Sequence, residues 1–150
     1  MMVRGVSVIV SASDLNLVPS VMRAVGSQIG GSGERITVFL NRSQSAQLLR
    51  NVAVTDRLAV VFSQPSTHRT LQLKARGVRI REAALDDEPA LDRYLDSMKA
   101  ELGTIGIAPS LVSAMLAHQL DDVVALEFTP DEAFDQTPGP RAGQPIMRRP

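Results

Sequence analysis

The sequence predicts a mainly β chain of α+β class, a barrel of about six antiparallel strands with flanking helices. Two observations carry that prediction. Apolar and polar residues alternate at period two through most of residues 6–80, as half-buried strands require. Helical spacing is confined to residues 43–54 and to the stretch beyond Pro89. The composition permits one core: 150 residues, 44% hydrophobic and 21% charged, are ordinary globular proportions. A chain of this length buries roughly 68–70% of its unfolded surface.

Taken in order, Val6, Val8 and Val10 alternate with Ser7, Ile9 and Ser11 in a first strand. Asp14-Leu15-Asn16 is a turn, and Pro19 opens a second extended run over residues 20–29. Gly30-Gly31-Ser32-Gly33 makes a hairpin turn, because glycine takes positive φ without steric cost. Ile36, Val38 and Leu40 alternate with Thr37 and Phe39 in a third strand, so the first forty residues read as a three-stranded antiparallel meander. Residues 43–54 change period, with Ala46, Leu49, Ala53 and Val54 on one helical stripe and Ser43 or Ser45 as the cap.

The run at 58–62 is continuously apolar, which predicts a strand covered on both faces, and Pro65 ends it. A fifth strand runs from Thr67, with Leu71, Leu73 and Ala75 inward and Thr70, Gln72, Lys74 and Arg76 outward. Gly77 then shifts the apolar phase to Val78 and Ile80, which reads as a bulge that lets the sheet curl into a barrel. Pro89, Leu91, Leu95, Met98 and Leu102 mark an amphipathic helix ending near Gly103. Pro109 starts another, with Leu111, Met115, Leu116 and Leu120 as its stripe, and residues 122–129 form a last strand. Residues 137–150 are rich in Pro, Gly and Arg and read as a segment without structure of its own. One split of the chain follows, a barrel domain over 1–135 and a tail over 136–150.

Composition and spacing exclude several functions. Sixteen basic against sixteen acidic side chains give a net charge of zero, unlike a dedicated nucleic-acid binder. One Tyr, four Phe and no Trp supply too few aromatic platforms for single strands. The absence of cysteine removes disulfides, iron–sulfur clusters and a thiolate nucleophile. No apolar run approaches the roughly 20 residues of a membrane helix, and none near the start suits a secretory leader. The expectation is a cytoplasmic protein with no membrane partner. His68 and His118 stand fifty residues apart with no metal-ligand spacing, so no metal site is expected. The glycine turn lacks the Gly-Lys-Ser/Thr of a nucleotide-binding loop. Asp86-Asp87-Glu88 and Asp121-Asp122 are sequence neighbours whose carboxylates diverge, and they read as helix-start and turn residues.

Charge is uneven along the chain. Residues 1–81 carry eleven basic and three acidic side chains, and residues 82–135 carry thirteen acidic and two basic. The first segment suits a small anion such as phosphate; equally, the two segments can pair with each other. Arg23 is the sole charge between Val21 and Ile29. On a barrel strand its guanidinium can grip phosphate with a bidentate fork, or it can be a surface arginine. Thr67, His68, Arg69, Thr70, Gln72 and Lys74 crowd the polar face of the fifth strand, where donors need solvent or a ligand. His68 is the candidate proton donor, since an imidazole titrates near pH 6.5. No other catalytic residue stands out.

At these residues the chain resembles the pyridoxamine 5'-phosphate oxidase-like family of FMN-binding split barrels. Pro19-Ser20-Val21-Met22-Arg23-Ala24-Val25 resembles its Pro-Ser-x-Arg strand, with one extra residue before the arginine. Ile36-Thr37-Val38-Phe39-Leu40-Asn41 resembles its Phe-x-Thr-Asn strand. Residues 58–74, with Phe62, Pro65 and Arg69-Thr70-Leu71-Gln72, resemble its Val-Phe-x-x-x-Pro…Arg-Gln-Val-Arg strand pair. The match covers about residues 5–81. Phe134-Asp135-Gln136-Thr137-Pro138-Gly139-Pro140 is also similar to the C-terminal end of uncharacterised members.

The resemblance implies a homodimer with one FMN in each of two clefts between protomers, acting on a small-molecule substrate. It implies Arg23 on the FMN phosphate, and the backbone of Ala24, Val25, Gly26 and on to Gln28 beside the flavin ring. Leu40, Asn41 and Ser45 would border the phosphate end, and Thr70 or Gln72 would approach from the fifth strand. The chain also departs from the family. Gln44-Ser45-Ala46 replaces the usual Ser-Arg-Lys, and Gln28 replaces the lysine that usually ends the second strand. Arg42, Ser43 and Ser45 are the residues left to compensate. Arg148-Arg149-Pro150 does not match the substrate element of the true oxidase. Two alternatives follow from the departures: a non-catalytic ligand-binding dimer that has lost FMN, or a split barrel that uses deazaflavin or haem.

Overall fold

In the computed structural model, which describes Met2 and residues 4–148, the apolar alternation organises two antiparallel sheets. Val8, Val10 and Ala12 point into the core from β1 (Ser7–Ser13). A turn held by the Asp14 carboxylate, which accepts the Asn16 and Val18 amides, returns the chain into β2 (Pro19–Arg23). The second extended run does not continue as one strand. It breaks at Ala24 and Val25, both buried, and resumes as β3 (Gly26–Ile29) in the other sheet. At that corner the Ala24 amide bonds the Val8 carbonyl of one sheet and the Val25 amide bonds the Phe39 carbonyl of the other. The expected three-stranded meander is therefore four strands divided between two sheets.

The glycine turn closes the hairpin from β3 to β4 (Ile36–Asn41), as expected. All six residues of β4 are buried, where alternation predicted one face only. Ile36, Val38 and Leu40 face the barrel interior, and Phe39 joins a second cluster with Val25, Ala90, Leu91, Val123 and Ala125. A 3-10 turn (Arg42–Gln44) leads into α1 (Ala46–Thr55). This helix buries Leu48, Asn51 and Val52; of the predicted stripe, Leu49 packs against the core, while Ala46, Ala53 and Val54 are on the solvent face. The Ser45 hydroxyl makes no cap hydrogen bond.

β5 (Arg57–Ser63) and β6 (Thr70–Arg76) pair in the first sheet. Leu58, Val60 and Phe62 are buried on one face of β5, while Ala59 and Val61 remain half-buried on the other. The strand is thus covered on one face within the chain, not on both. Gly77, at φ +66°, is a corner and not a bulge: the chain leaves the first sheet there and enters β7 (Arg79–Glu82) of the second. The Asp56 carboxylate holds this corner by accepting the Gly77 and Val78 amides.

α2 (Glu88–Gly103) buries Ala90, Leu91, Tyr94, Met98 and Leu102, close to the predicted stripe. α3 (Pro109–Met115) buries Val112, and Leu116 follows it into the core; Leu111 and Met115 are exposed, against expectation. β8 (Val123–Phe128) joins β4 and β7. Residues 137–150 are expected to lack structure, yet Gln144–Arg148 form β10, which pairs with β9 (Glu132–Asp135) in a hairpin that extends the first sheet; residues 149 and 150 lie outside the described residues. Pairing of β9 with β6 supplies the hydrogen bonds that the composition of this segment did not announce. The orders are β10-β9-β6-β5-β1-β2 and β3-β4-β8-β7. The core lies between the sheets, closed by the three helices. Among the described residues no helix is long and apolar enough to cross a membrane.

Candidate functional site

The outer face of the six-stranded sheet is built from the residues that alternate away from the core. Register places them in rows. Arg23 stands opposite Ile9, Ile9 opposite Val61, Val61 opposite Gln72, and Gln72 opposite Phe134. Arg23 and Gln72 thus share one row, three strand spacings apart, which is about 14 Å. Thr70 lies in the next row, opposite Ser63, and the two hydroxyls are 2.9 Å apart. Val21 on this face is 59% exposed.

Arg23 is exposed, and its Nη1 donates to the Ser7 hydroxyl at 2.8 Å. No carboxylate forms an ion pair with it among the described residues. Its guanidinium also lies near Tyr94, whose hydroxyl burial pushes up to about 12, so that group stays protonated. Gln72 accepts a bond from Gln136 Nε2 at 3.1 Å, and the Thr70 amide donates to the Thr137 hydroxyl at 3.1 Å. The segment that follows β9 therefore holds the Gln72 side chain and the Thr70 backbone on the face.

The remaining expected site residues lie elsewhere. Ala24, Val25 and Gly26 are buried at the corner between sheets. A Cβ built at Gly26 would stand 2.7 Å from Leu91 Cδ2, so α2 covers this backbone on that side. Leu40 is fully buried in the core. Asn41 is buried, donates its amide to the Ala117 carbonyl at 3.0 Å and leaves Oδ1 without a partner. Ser45 is buried with an unpartnered hydroxyl. His68 sits in the exposed β5–β6 turn at φ +58°. His118 Nδ1 lies 3.0 Å from the Leu116 carbonyl. No cluster of potential metal ligands occurs among the described residues.

Residues 41–45 fit a phosphate poorly. Arg42 is ion-paired with Glu82, which holds its guanidinium further above its ordinary value. The Ser43 amide and hydroxyl both donate to the Asp122 carboxylate, at 3.0 and 2.6 Å. Of the three residues that were to compensate for the missing cations, Arg42 and Ser43 are thus already bound to the chain's own carboxylates, and Ser45 is buried. Sequence reading placed Asp122 in a turn, correctly, but gave no sign that the turn meets Ser43, 79 positions away. On the open face the fit is better, because Arg23 offers an uncommitted charge and Gln72 stands on its row.

Sequence reading also passed over the far end of this face. There a groove of about 700 Å³ is lined by the cations Arg57, Lys74 and Arg76, the carboxylates of Asp131 and Glu132, and Ser11, Ser13, Pro19 and Ala59. Beside it Lys74 lies over the Phe134 ring, 4.8 Å from its centroid.

No known family profile matches the sequence, and no curated protein matches it. Solved structures do share the fold. An F420 reductase superposes with a TM-score of 0.59 at 15% identity, over 88% of this chain and 91% of that one. The HupZ protein of Group A Streptococcus gives 0.56 at 10% identity, over 95% and 94%. A pyridoxamine 5'-phosphate oxidase candidate from Lactobacillus delbrueckii gives 0.52 at 11%, over 85% and 83%. At these identities the likeness establishes the fold: the chain is a split barrel of the pyridoxamine 5'-phosphate oxidase type.

Proposed function

We propose, starting from that split-barrel fold, that the chain is a homodimeric flavin-binding protein and an oxidoreductase acting on a small molecule, with FMN as its cofactor. The observation that carries the reading is the open row of Arg23, Ile9, Val61 and Gln72, which joins an unpaired cation to half-buried apolar side chains. A flavin needs those three things: a charge for its phosphate, an apolar bed for its ring and polar groups at the ring edge. Bound flavin would supply the electron transfer. This chain's residues bind it, orient it and keep water from it. Arg23 is the phosphate contact in this account, and Gln72 and Thr70 border the ring.

A second reading has its own support. Glu82 and Asp122 hold Arg42 and Ser43, which favours a split barrel that binds its ligand without FMN's phosphate. One titration separates the two. If Arg23 grips phosphate, Arg23→Ala weakens FMN ten-fold or more, about 1.4 kcal/mol, and leaves riboflavin affinity unchanged. Equal loss for both ligands would remove Arg23 from the phosphate. Equal binding of FMN and riboflavin by the unmodified protein would favour the second reading.

A further inference from the structure

We propose that the groove at Arg57 and Arg76 is a binding site for a phosphate monoester dianion, independent of the flavin reading. The two arginines are directly opposite each other in the β5–β6 ladder. Like charges in that relation destabilise a sheet unless something neutralises them. Asp131 and Glu132 share the groove's lining, but their carboxylates are engaged elsewhere and form no ion pair with either arginine. The Asp131 carboxylate accepts the Arg76 backbone amide at 2.8 Å, and Glu132 is 3.5 Å from Arg148. Among the described residues, neither Arg57 nor Arg76 forms an ion pair.

Chemistry favours a dianion over a carboxylate. Two guanidinium forks together offer four or more N–H donors and two charges, which a phosphate monoester can match and a carboxylate cannot. Ser11 and Ser13 add hydroxyls to the lining, and Pro19 and Ala59 give the ester's organic group an apolar wall. The groove's volume of about 700 Å³ leaves room for that group beside the phosphate. The site stands four residues along β1 from the row of Arg23, roughly 13 Å, so one bound phosphate cannot serve both.

Calorimetric titration of the full chain with inorganic phosphate, then with phenyl phosphate, tests the proposal. Both are expected to bind saturably, phenyl phosphate more tightly, and acetate at the same ionic strength is expected not to bind. The double variant Arg57→Gln/Arg76→Gln is expected to lose ten-fold or more in affinity for both. Arg35→Gln, a cation in the β3–β4 turn, is expected to change nothing. Removing the opposed charges should also leave the phosphate-free Tm unchanged or higher, which guards against a folding defect. Absence of saturable binding would overturn the site. So would equal affinity in the double variant, or an equal loss in Arg35→Gln, which would mean diffuse charge attraction.

Discussion

The Arg81 guanidinium reaches two carboxylates from one position on β7: Nη1 and Nη2 fork onto Asp87 at 2.7 and 2.9 Å, and Nε meets Glu127 at 2.6 Å. Asp87 also accepts the Ala84 amide and is 5% exposed. The Arg81 fork, together with that amide, holds its carboxyl below the ordinary carboxylate value. The sign follows from linkage. A carboxyl depressed in the folded state contributes stability at neutral pH, and that contribution is lost as pH falls through its folded value, below about 4. Asp87→Asn should therefore cost on the order of 2 kcal/mol at pH 7 and show a weaker acid dependence than the parent in denaturant melts. A variant as stable as the parent at pH 7 would mean the fork contributes nothing. At this scale the sequence was partly legible. The outward phase of Arg23, Thr70 and Gln72 follows from alternation alone, and the register places all three on the outer face of the sheet. Leu40 and Asn41 are buried because β4 is covered from two sides, and Ser45 is buried at the start of α1, tertiary facts that no local pattern carries.

At the scale of elements, the informative places are where strands change sheet. Ala24-Val25 and Gly77 both looked like continuations of a strand, because alternation reports which face is apolar and not which sheet is being formed. Register reveals the switch. The same corner explains why Gly26 is glycine: α2 lies so close that a methyl there meets Leu91 at 2.7 Å and Phe39 at 3.1 Å. Gly26→Ala should destabilise the fold by about 1–3 kcal/mol, by overpacking, because φ there does not itself demand glycine. Chemical denaturation measures this, and an unchanged midpoint would show that α2 yields without cost. β9 and β10 escaped sequence reading for the opposite reason. Their residues are Pro- and Gly-flanked and short, and pairing makes them strands: β9 pairs with β6, and β10 with β9.

At the scale of the molecule, the chain covers one face of its larger sheet and leaves the other to solvent. That open face carries Val21 at 59% exposure, half-buried Ile9 and Val61, and cations at both ends. Exposed apolar area rimmed by polar residues is the usual mark of an interface. A second copy packed against it would bring the Arg23 row into a cleft, as the proposed flavin site requires. The amino-terminal excess of positive charge, visible in the sequence, is spent two ways. Arg42 and Arg81 pair with acidic side chains of the later segment, whereas among the described residues Arg23, Arg57 and Arg76 form no ion pair. The pairing of the two segments with each other is therefore observed at Arg42 and Arg81.

The most direct test of the account is gel filtration of the purified protein with added FMN, read by light scattering and by absorbance near ~450 nm. The account predicts a mass of twice 16.2 kDa with flavin absorbance travelling under the same peak. A monomer mass with the flavin left behind in the small-molecule volume would contradict it.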